Sequence, residues 1–401
     1  QKTAYEISLG LVGSEMCIRD RVFPMGSIFI PKRLTIEDIV DVARRRVYVR
    51  LSSLFLRRLR EIHGLILDAV RRRDIIYGVT TGLGALASEI LDPNDAKLLQ
   101  ENLLKSHAVG FGPPIPKEIS RAMLFIRANM LARGYSGIRP EIIIFMTALL
   151  NEDIVPIVPT YGSVGASGDL VPLSHMALVL VGSGHGRALY RGREVGGVEL
   201  KRILYDVYID YLERYSNQTG VPLCSEILNR EALEDPDLFL VNLGYKEGLS
   251  LINGTDFECA VLALALEKAK RLYGWSKIAL ALSMEALRGI IDAFGDDAML
   301  LVSHPGAIAF SRDIQGLLEG SKLVVSAKDN LTLTDLSVSI EKYGDGILVR
   351  VPKNRISCLG IEINRLLASL SKKLNVNVEY SISGGELIIK LDNVDMETVS
   401  Y

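Results

Sequence analysis

The sequence predicts a mainly α-helical region followed by a small α+β unit of β-β-α-β-β order. Apolar residues recur at helical spacing from about Thr35 to Gly320. After about Leu323 they alternate as in strands, with glycines at the turns. The composition, 48% hydrophobic and 23% charged over 401 residues, is that of a globular chain. Disordered, collagen-like and small disulfide-rich classes are excluded. At roughly 150 residues per domain the length allows two or three domains. The expected organisation is a leader at 1–24, a helical region at 25–323 and an α+β unit at 324–401.

The leader has neither the basic and long apolar regions of a signal peptide nor an amphipathic period. It resembles translated sequencing-adaptor sequence, and Met25 is read as the native start. Residues 118–133 place Ile119, Met123, Ile126 and Met130 on one helical face, with Gly134 as the cap that follows. Pro140 fits the first turn of another helix, with Ile143, Met146 and Leu150 recurring behind it. Residues 188–198 read as a hairpin, with a short helix from Leu200 and then a polar connection. Residues 246–272 and 276–294 read as two helices joined at Gly274, apolar nearly all round, as in a bundle or an oligomer. Strands follow at 336–343, 347–352, 376–383 and 386–392, with an amphipathic helix at 358–374 between the pairs. The last segment, 324–401, is read as a fusion or a misjoined fragment.

Composition also bounds function. The formal net charge is −2, so nothing attracts a phosphate backbone and no nucleic-acid partner is expected. The four cysteines (Cys17, Cys224, Cys259, Cys358) form no CxxC pair and read as reduced thiols of a cytoplasmic protein. The five histidines lack ligand spacing, so no metal is expected. No uninterrupted apolar run is long enough to span a membrane.

The chemistry concentrates in Gly162-Ser-Val-Gly-Ala-Ser-Gly-Asp-Leu-Val-Pro-Leu-Ser-His175. As a phosphate loop it lacks the terminal Lys-Ser/Thr, and Asp169 would repel an anion. As a nucleophile elbow it has Asp169 where the last glycine should stand. A plain glycine turn into a helix, with Asp169 as N-cap and Pro172 in the first turn, stays open.

Ala166-Ser167-Gly168 in this setting resembles the signature of the aromatic amino acid ammonia-lyases, the histidine and phenylalanine ammonia-lyase family. There the tripeptide cyclises to a methylidene-imidazolone, and a bulky side chain at either end would obstruct the turn. A helix starting near Asp169 would direct its N-terminal amides at the ring oxygens. Tyr77-Gly-Val-Thr-Thr-Gly-Leu-Gly84 resembles the family's YGxNTGxG loop, with Thr80 standing in place of Asn. Leu104-Lys-Ser-His-Ala-Val-Gly110 resembles its substrate-selectivity segment, Arg133-Gly-Tyr-Ser-Gly-Ile-Arg139 a turn between helices, and Leu251-Ile-Asn-Gly-Thr255 its LLNGT segment.

The resemblance implies a catalytic set of Tyr77, Ala166, Ser167, Gly168 and Asn253. Tyr77 would handle the β-proton, and Asn253 would bond the prosthetic group or the substrate amine. His107, after Ser106, would select substrate as in histidine-specific members; a core histidine and a buried, satisfied asparagine are the alternatives at 107 and 253. His175 is assigned to packing. The implied activity is elimination of ammonia from an L-aromatic amino acid, foremost L-histidine to urocanate, with no external cofactor. A phenylalanine or tyrosine lyase, or an aminomutase, is the alternative within the family. A homotetramer with shared active sites is implied as well. Nothing in residues 321–401 matches the family's Gln-Asp-x-Tyr-Ser-x-Arg-Cys segment, which supplies a second tyrosine and a carboxylate-binding arginine. These 401 residues are therefore expected to form the prosthetic group with little turnover, and a catalytically incomplete remnant or binding paralogue is the rival reading.

Overall fold

A computed structural model describes residues 26–45, 47–84, 87–165, 168–220, 227–302, 304–326, 339–343, 346–352, 377–383 and 386–392. The chain falls into two compact units, 1–270 and 271–401.

In the first unit, β1 (Ser27–Ile30) and β2 (Tyr48–Leu51) pair in parallel, with α1 (Ile36–Ala43) connecting them. A capping box starts α1: Thr35 Oγ1 accepts from the Asp38 N–H at 3.2 Å, and the Asp38 carboxylate accepts from the Thr35 N–H at 2.9 Å. Next come α2 (Ser53–Arg71), a glycine-containing loop, and α3 (Pro93–His107). β3 (Phe111–Pro114) leads into α4 (Lys117–Ala132) and α5 (Pro140–Asn151). β4 (Val155–Pro156) and β5 (Pro159–Tyr161) follow, β5 pairing antiparallel with β3.

α4 and α5 form the centre of the core. The spacing along 118–133 suggested one apolar face, but α4 is buried nearly all round, with both α1 and α5 packed on it. Only Met130, of the four residues on the expected face, is well exposed, at 48%. α6 (Leu170–Leu180) is equally enclosed. The hairpin β6 (Arg187–Tyr190) and β7 (Arg193–Gly196) turns at Arg191 and Gly192, both at positive φ (51° and 80°), the backbone of a tight two-residue turn.

α7 (Gly197–Thr219) is much longer than the short helix expected from Leu200, and Gly220 ends it in the left-handed conformation. Its inward residues Leu200, Leu204, Tyr208 and Leu212 repeat every fourth position, so the signal was present among the surrounding charges. Tyr208 is fully buried, stacks on Phe145 at 3.9 Å between centroids, and donates to the Leu180 carbonyl at 3.0 Å. A short α8 (Glu231–Glu234) precedes α9 (Glu247–Ile252) and α10 (Asp256–Ala286).

The expected helix joint at Gly274 is a correction. α10 runs unbroken through Gly274, where nothing lies within 4 Å of the Cβ position. The break falls instead at Asn253–Thr255, for reasons that concern the site. The stretch Glu247–Ala286 is long and apolar enough by composition to cross a membrane. However, Ala260, Ala263 and Leu264 belong to the core and Glu267 pairs with Arg44 at 3.0 Å, which is the setting of a core helix.

The second unit contains the rest of α10, α11 (Asp296–Val302) and α12 (Pro305–Leu317), gathered around Ala281, Ile314 and Leu318. It also contains four strands: β8 (Ser339–Tyr343), β9 (Gly346–Pro352), β10 (Asn377–Ser383) and β11 (Glu386–Asp392). They form one antiparallel sheet in the order β10-β11-β9-β8, with Ile389 opposite Val349 and Tyr380. The helix expected at 358–374 lies outside the described residues.

Phe145→Ala should destabilise the first unit by about 3–5 kcal/mol, since it removes a buried aromatic and leaves a cavity. Tyr135→Ser, at a side chain 83% exposed, should stay within about 0.5 kcal/mol. Denaturant unfolding of both variants beside the parent measures the difference.

Candidate active site

Four segments of the first unit meet around α9: the Tyr77 loop, the middle of α3, the start of α6 and the α9–α10 break. The glycines at each meeting show why the backbones approach so closely. Gly78 has φ +68°, and a Cβ there would lie 2.7 Å from Leu249 Cδ2, so the residue after Tyr77 sits directly on α9. α3 is clamped to α9 at Gln100, whose Oε1 accepts from the Leu249 N–H at 3.1 Å. A Cβ on Gly248 would be only 2.4 Å from the Gln100 carbonyl. At the start of α6, Gly168 has φ +110° and faces Gly254: its Cβ position is 2.9 Å from Gly254 O and 3.2 Å from Gly254 N.

That last contact joins two of the sequence-derived motifs. Gly168 lies beside the residue after Asn253, and the Asp169 N–H donates to the Gly254 carbonyl at 2.6 Å. Ala166 and Ser167 lie outside the described residues. Asp169 occupies the N-cap position of α6 but its side chain does not cap that helix. Fully buried, it accepts from the Glu258 N–H in the first turn of α10 at 3.0 Å and from Ser163 Oγ at 2.7 Å. It is a tertiary cap, offering its charge to the positive end of another helix.

The α9–α10 break is built around an arginine. Arg127, on α4 and 5% exposed, donates to the Asn253 carbonyl at 2.9 Å, to the Ser250 carbonyl, and to Asp256 Oδ2 at 2.9 Å. It thereby serves carbonyls that a helix end leaves unpaired, as well as the carboxylate that opens α10. Gly254 passes so close that a Cβ there would be 2.3 Å from Arg127 Nη1 and 2.4 Å from Asp256 Oδ2. Burial lowers the Arg127 pKa and raises that of Asp256, with each partner's charge opposing the other's shift.

Tyr77 is 55% exposed, and its hydroxyl accepts from the Gly84 N–H at 3.3 Å across the loop. Thr80 is turned into the loop's own closure: it donates to the Asp74 carbonyl at 2.7 Å and accepts from the Ile76 N–H at 2.9 Å. His107 ends α3, with Nδ1 3.0 Å from both the Leu103 carbonyl and Ser106 Oγ. Asn253 is the C-cap of α9. The RGYSGIR turn carries no chemistry of its own; it docks on α2 through Gly134 and Gly137, whose Cβ positions meet Ile62 and Ile66. Its Arg139 reaches Glu247 at the start of α9, Nε to Oε1 at 2.8 Å. Burial pushes the Glu247 carboxyl up, but Arg139 and the Gly244 and Arg139 amides outweigh it and hold the group below its ordinary range.

Sequence reasoning passed over Arg127, Asp256 and Glu247. Their one signal was a charge inside an otherwise apolar helical pattern, which periodicity treats as noise. It also gave His175 to packing. His175 stands on α6, and its Nε2 accepts from the Gly110 N–H at 3.0 Å, tying the loop after His107 to the helix that begins beside Gly168. Val171, one turn earlier, backs both Gly110 and Gly162, each of which would carry a Cβ within 3.2 Å of its Cγ1.

Burial lowers the His175 pKa below its ordinary value of 6.5, and the Gly110 bond needs the neutral ring. The unfolded chain therefore binds this proton more readily, and the contribution is full above about pH 6.5 and lost as pH falls below it. His175→Gln should flatten the fall in melting temperature between about pH 7.5 and about pH 5.5 relative to the parent. Equal slopes for the two proteins would contradict the assignment.

The chain matches known proteins over most of its length. The model of the aromatic amino acid lyase family matches residues 34–337. Histidine ammonia-lyase of Caldanaerobacter subterraneus subsp. tengcongensis is 36% identical over 291 residues, 73% of this chain and 51% of that protein. The Streptococcus gordonii histidine ammonia-lyase is 37% identical over 72% of this chain and 50% of that protein. The chain thus spans about half the length of the curated relatives it matches. Among solved structures, tyrosine aminomutase from Streptomyces globisporus superposes with a TM-score of 0.63 at 28% identity, covering 79% of this chain and 54% of the other. Histidine ammonia-lyase from Trypanosoma cruzi gives 0.56 at 28%, covering 73% and 50%. With the matched region running through every motif of the site, the chain belongs to the aromatic amino acid lyase family.

Proposed function

We propose that the first unit carries the machinery of an ammonia-lyase that acts on an L-aromatic amino acid, with L-histidine preferred and urocanate and ammonia as products. The observation that carries the reading is the approach of Gly168 to Gly254. The end of the Ala166-Ser167-Gly168 tripeptide meets the Asn253–Gly254 turn at a distance that only glycine permits. This fits a tripeptide that closes through the Gly168 nitrogen. Closure forms a bond from that nitrogen to the Ala166 carbonyl carbon with loss of one water. A second water leaves from Ser167 across Cα–Cβ, and no oxidant or external cofactor is consumed. The methylidene-imidazolone so formed supplies an electrophilic alkene that no ordinary side chain offers.

The chain's own residues supply part of the remaining machinery. Asn253, its backbone carbonyl held by Arg127, is assigned to hydrogen-bond the prosthetic group or the substrate amine. Tyr77, on a loop seated on α9, is assigned the β-proton. His107 is assigned substrate selection, with the loop behind it held by His175. The preference for histidine over phenylalanine or tyrosine rests on the Ser106-His107 pair and on the histidine ammonia-lyase relatives at 36–37% identity. Similarity to tyrosine aminomutase supports the aminomutase reading as the second choice. Assembly into a homotetramer belongs to the same reading; Leu262 and Leu266, exposed four residues apart on α10, offer an apolar face for it.

Intact-mass measurement of the folded chain should show a loss of two waters, about 36 Da, that Ser167→Ala abolishes. An unmodified mass in folded protein would sink the reading. For substrate choice, His107→Leu should weaken binding of L-histidine to the folded chain by about tenfold or more, the loss of one or more hydrogen bonds. An unchanged ratio of histidine to phenylalanine affinity would remove His107 from that role.

A further inference from the structure

Arg127 is more than a buried ion pair. Its guanidinium touches the last carbonyls of α9 and the first carboxylate of α10 at once, so it defines the turn between them. That turn, through Gly254, is what Gly168 rests against, and the Gly254 carbonyl also accepts from the Asp169 N–H. The other flank of the tripeptide is tied to the same scaffold. The Gly165 N–H donates to Ser163 Oγ at 3.2 Å, Ser163 donates to Asp169, and Asp169 accepts from α10 at Glu258. A Cβ on Gly165 would lie 2.3 Å from Glu258 Oε1. Gly165 and Gly168, the described residues on either side of Ala166-Ser167, are therefore registered against the α9–α10 junction, and Arg127 is the group that shapes that junction.

Arg127 Nε and Ser250 Oγ make no hydrogen bond among the described residues. Arg121, on the same helix, provides the internal comparison. It is also buried, and it serves the Val42 and Leu150 carbonyls together with Asp153, but none of its partners belongs to the α9–α10 junction.

We propose that Arg127 is a positioning residue for closure of Ala166-Ser167-Gly168, acting through the Asn253–Gly254 turn. The inference rests on the reading that this tripeptide cyclises. The test is a time course of intact mass after a pulse of expression, on the full chain, for the parent, Arg127→Lys, Asp256→Asn and Arg121→Met, with melting temperatures recorded for each. The parent and Arg121→Met should lose both waters completely, Arg121→Met despite its lower melting temperature. Arg127→Lys and Asp256→Asn, once folded, should close about tenfold more slowly or stop at the unmodified mass, as expected when reacting groups are misplaced. If both junction variants close at the parent's rate, or if Arg121→Met is slowed as much as they are, the inference is overturned. If Arg127→Lys fails to fold, Asp256→Asn decides alone. A parent that folds without losing water defeats the proposed function itself, a different result from normal closure in the junction variants.

Discussion

The guanidinium of Arg127 occupies the gap between the end of α9 and the start of α10, and most of the site's geometry follows from that placement. A continuous helix from residue 247 onward would bring no backbone turn to Gly168. Opening the helix leaves carbonyls without partners inside a core, which is costly unless a donor replaces the lost N–H groups. An arginine presents several donors in a fixed plane and can serve carbonyls and a carboxylate together. The turn then becomes a stable feature, narrow enough that residue 254 has to be glycine.

Asp169 acts from the opposite side. Its backbone N–H reaches the turn, while its carboxylate caps α10 instead of the helix it precedes. The core thus holds opposite charges a few residues apart in structure: Arg127 on α4, Asp256 opening α10 and Asp169 ahead of α6. Buried pairs of this kind add little net stability over apolar packing, but breaking one leaves an uncompensated charge. What they supply is a unique arrangement. The helices α4, α6, α9 and α10 come together at this junction through those charges and the Gly254 turn.

Much of the helical framework was legible along the chain. α4 and α5 lie where apolar spacing, a following glycine and an initial proline place them, and the β6–β7 turn needs the small, permissive residue that Gly192 provides. Periodicity failed where a tertiary partner outweighed local preference. Gly274 reads as a helix break and is not one, because a solvent-facing glycine costs a helix only about 1 kcal/mol. Asn253-Gly254 reads as helix and is the break, because Arg127 lies 126 positions away from Asn253 in sequence. α7 reads as short because its polar face is rich in charge, while its buried repeat of Leu200, Leu204, Tyr208 and Leu212 extends the whole way.

The sequence by itself determined the helical region, the strand pattern near its end and the family-like motifs at Tyr77, His107, Gly168 and Asn253. Those are properties of short segments, set by side-chain period, by glycine's freedom at positive φ and by residue types in fixed order. Only the tertiary structure decided which of these segments touch, that Asp169 caps a helix other than its own, that Thr80 is spent on closing its loop, and that His175 holds the backbone behind His107. Hydrogen bonds of that kind join groups from 65 to 89 positions apart in the last and first of those cases. No local pattern encodes them, because a buried donor takes the acceptor that folding brings within about 3 Å, wherever in the chain it lies.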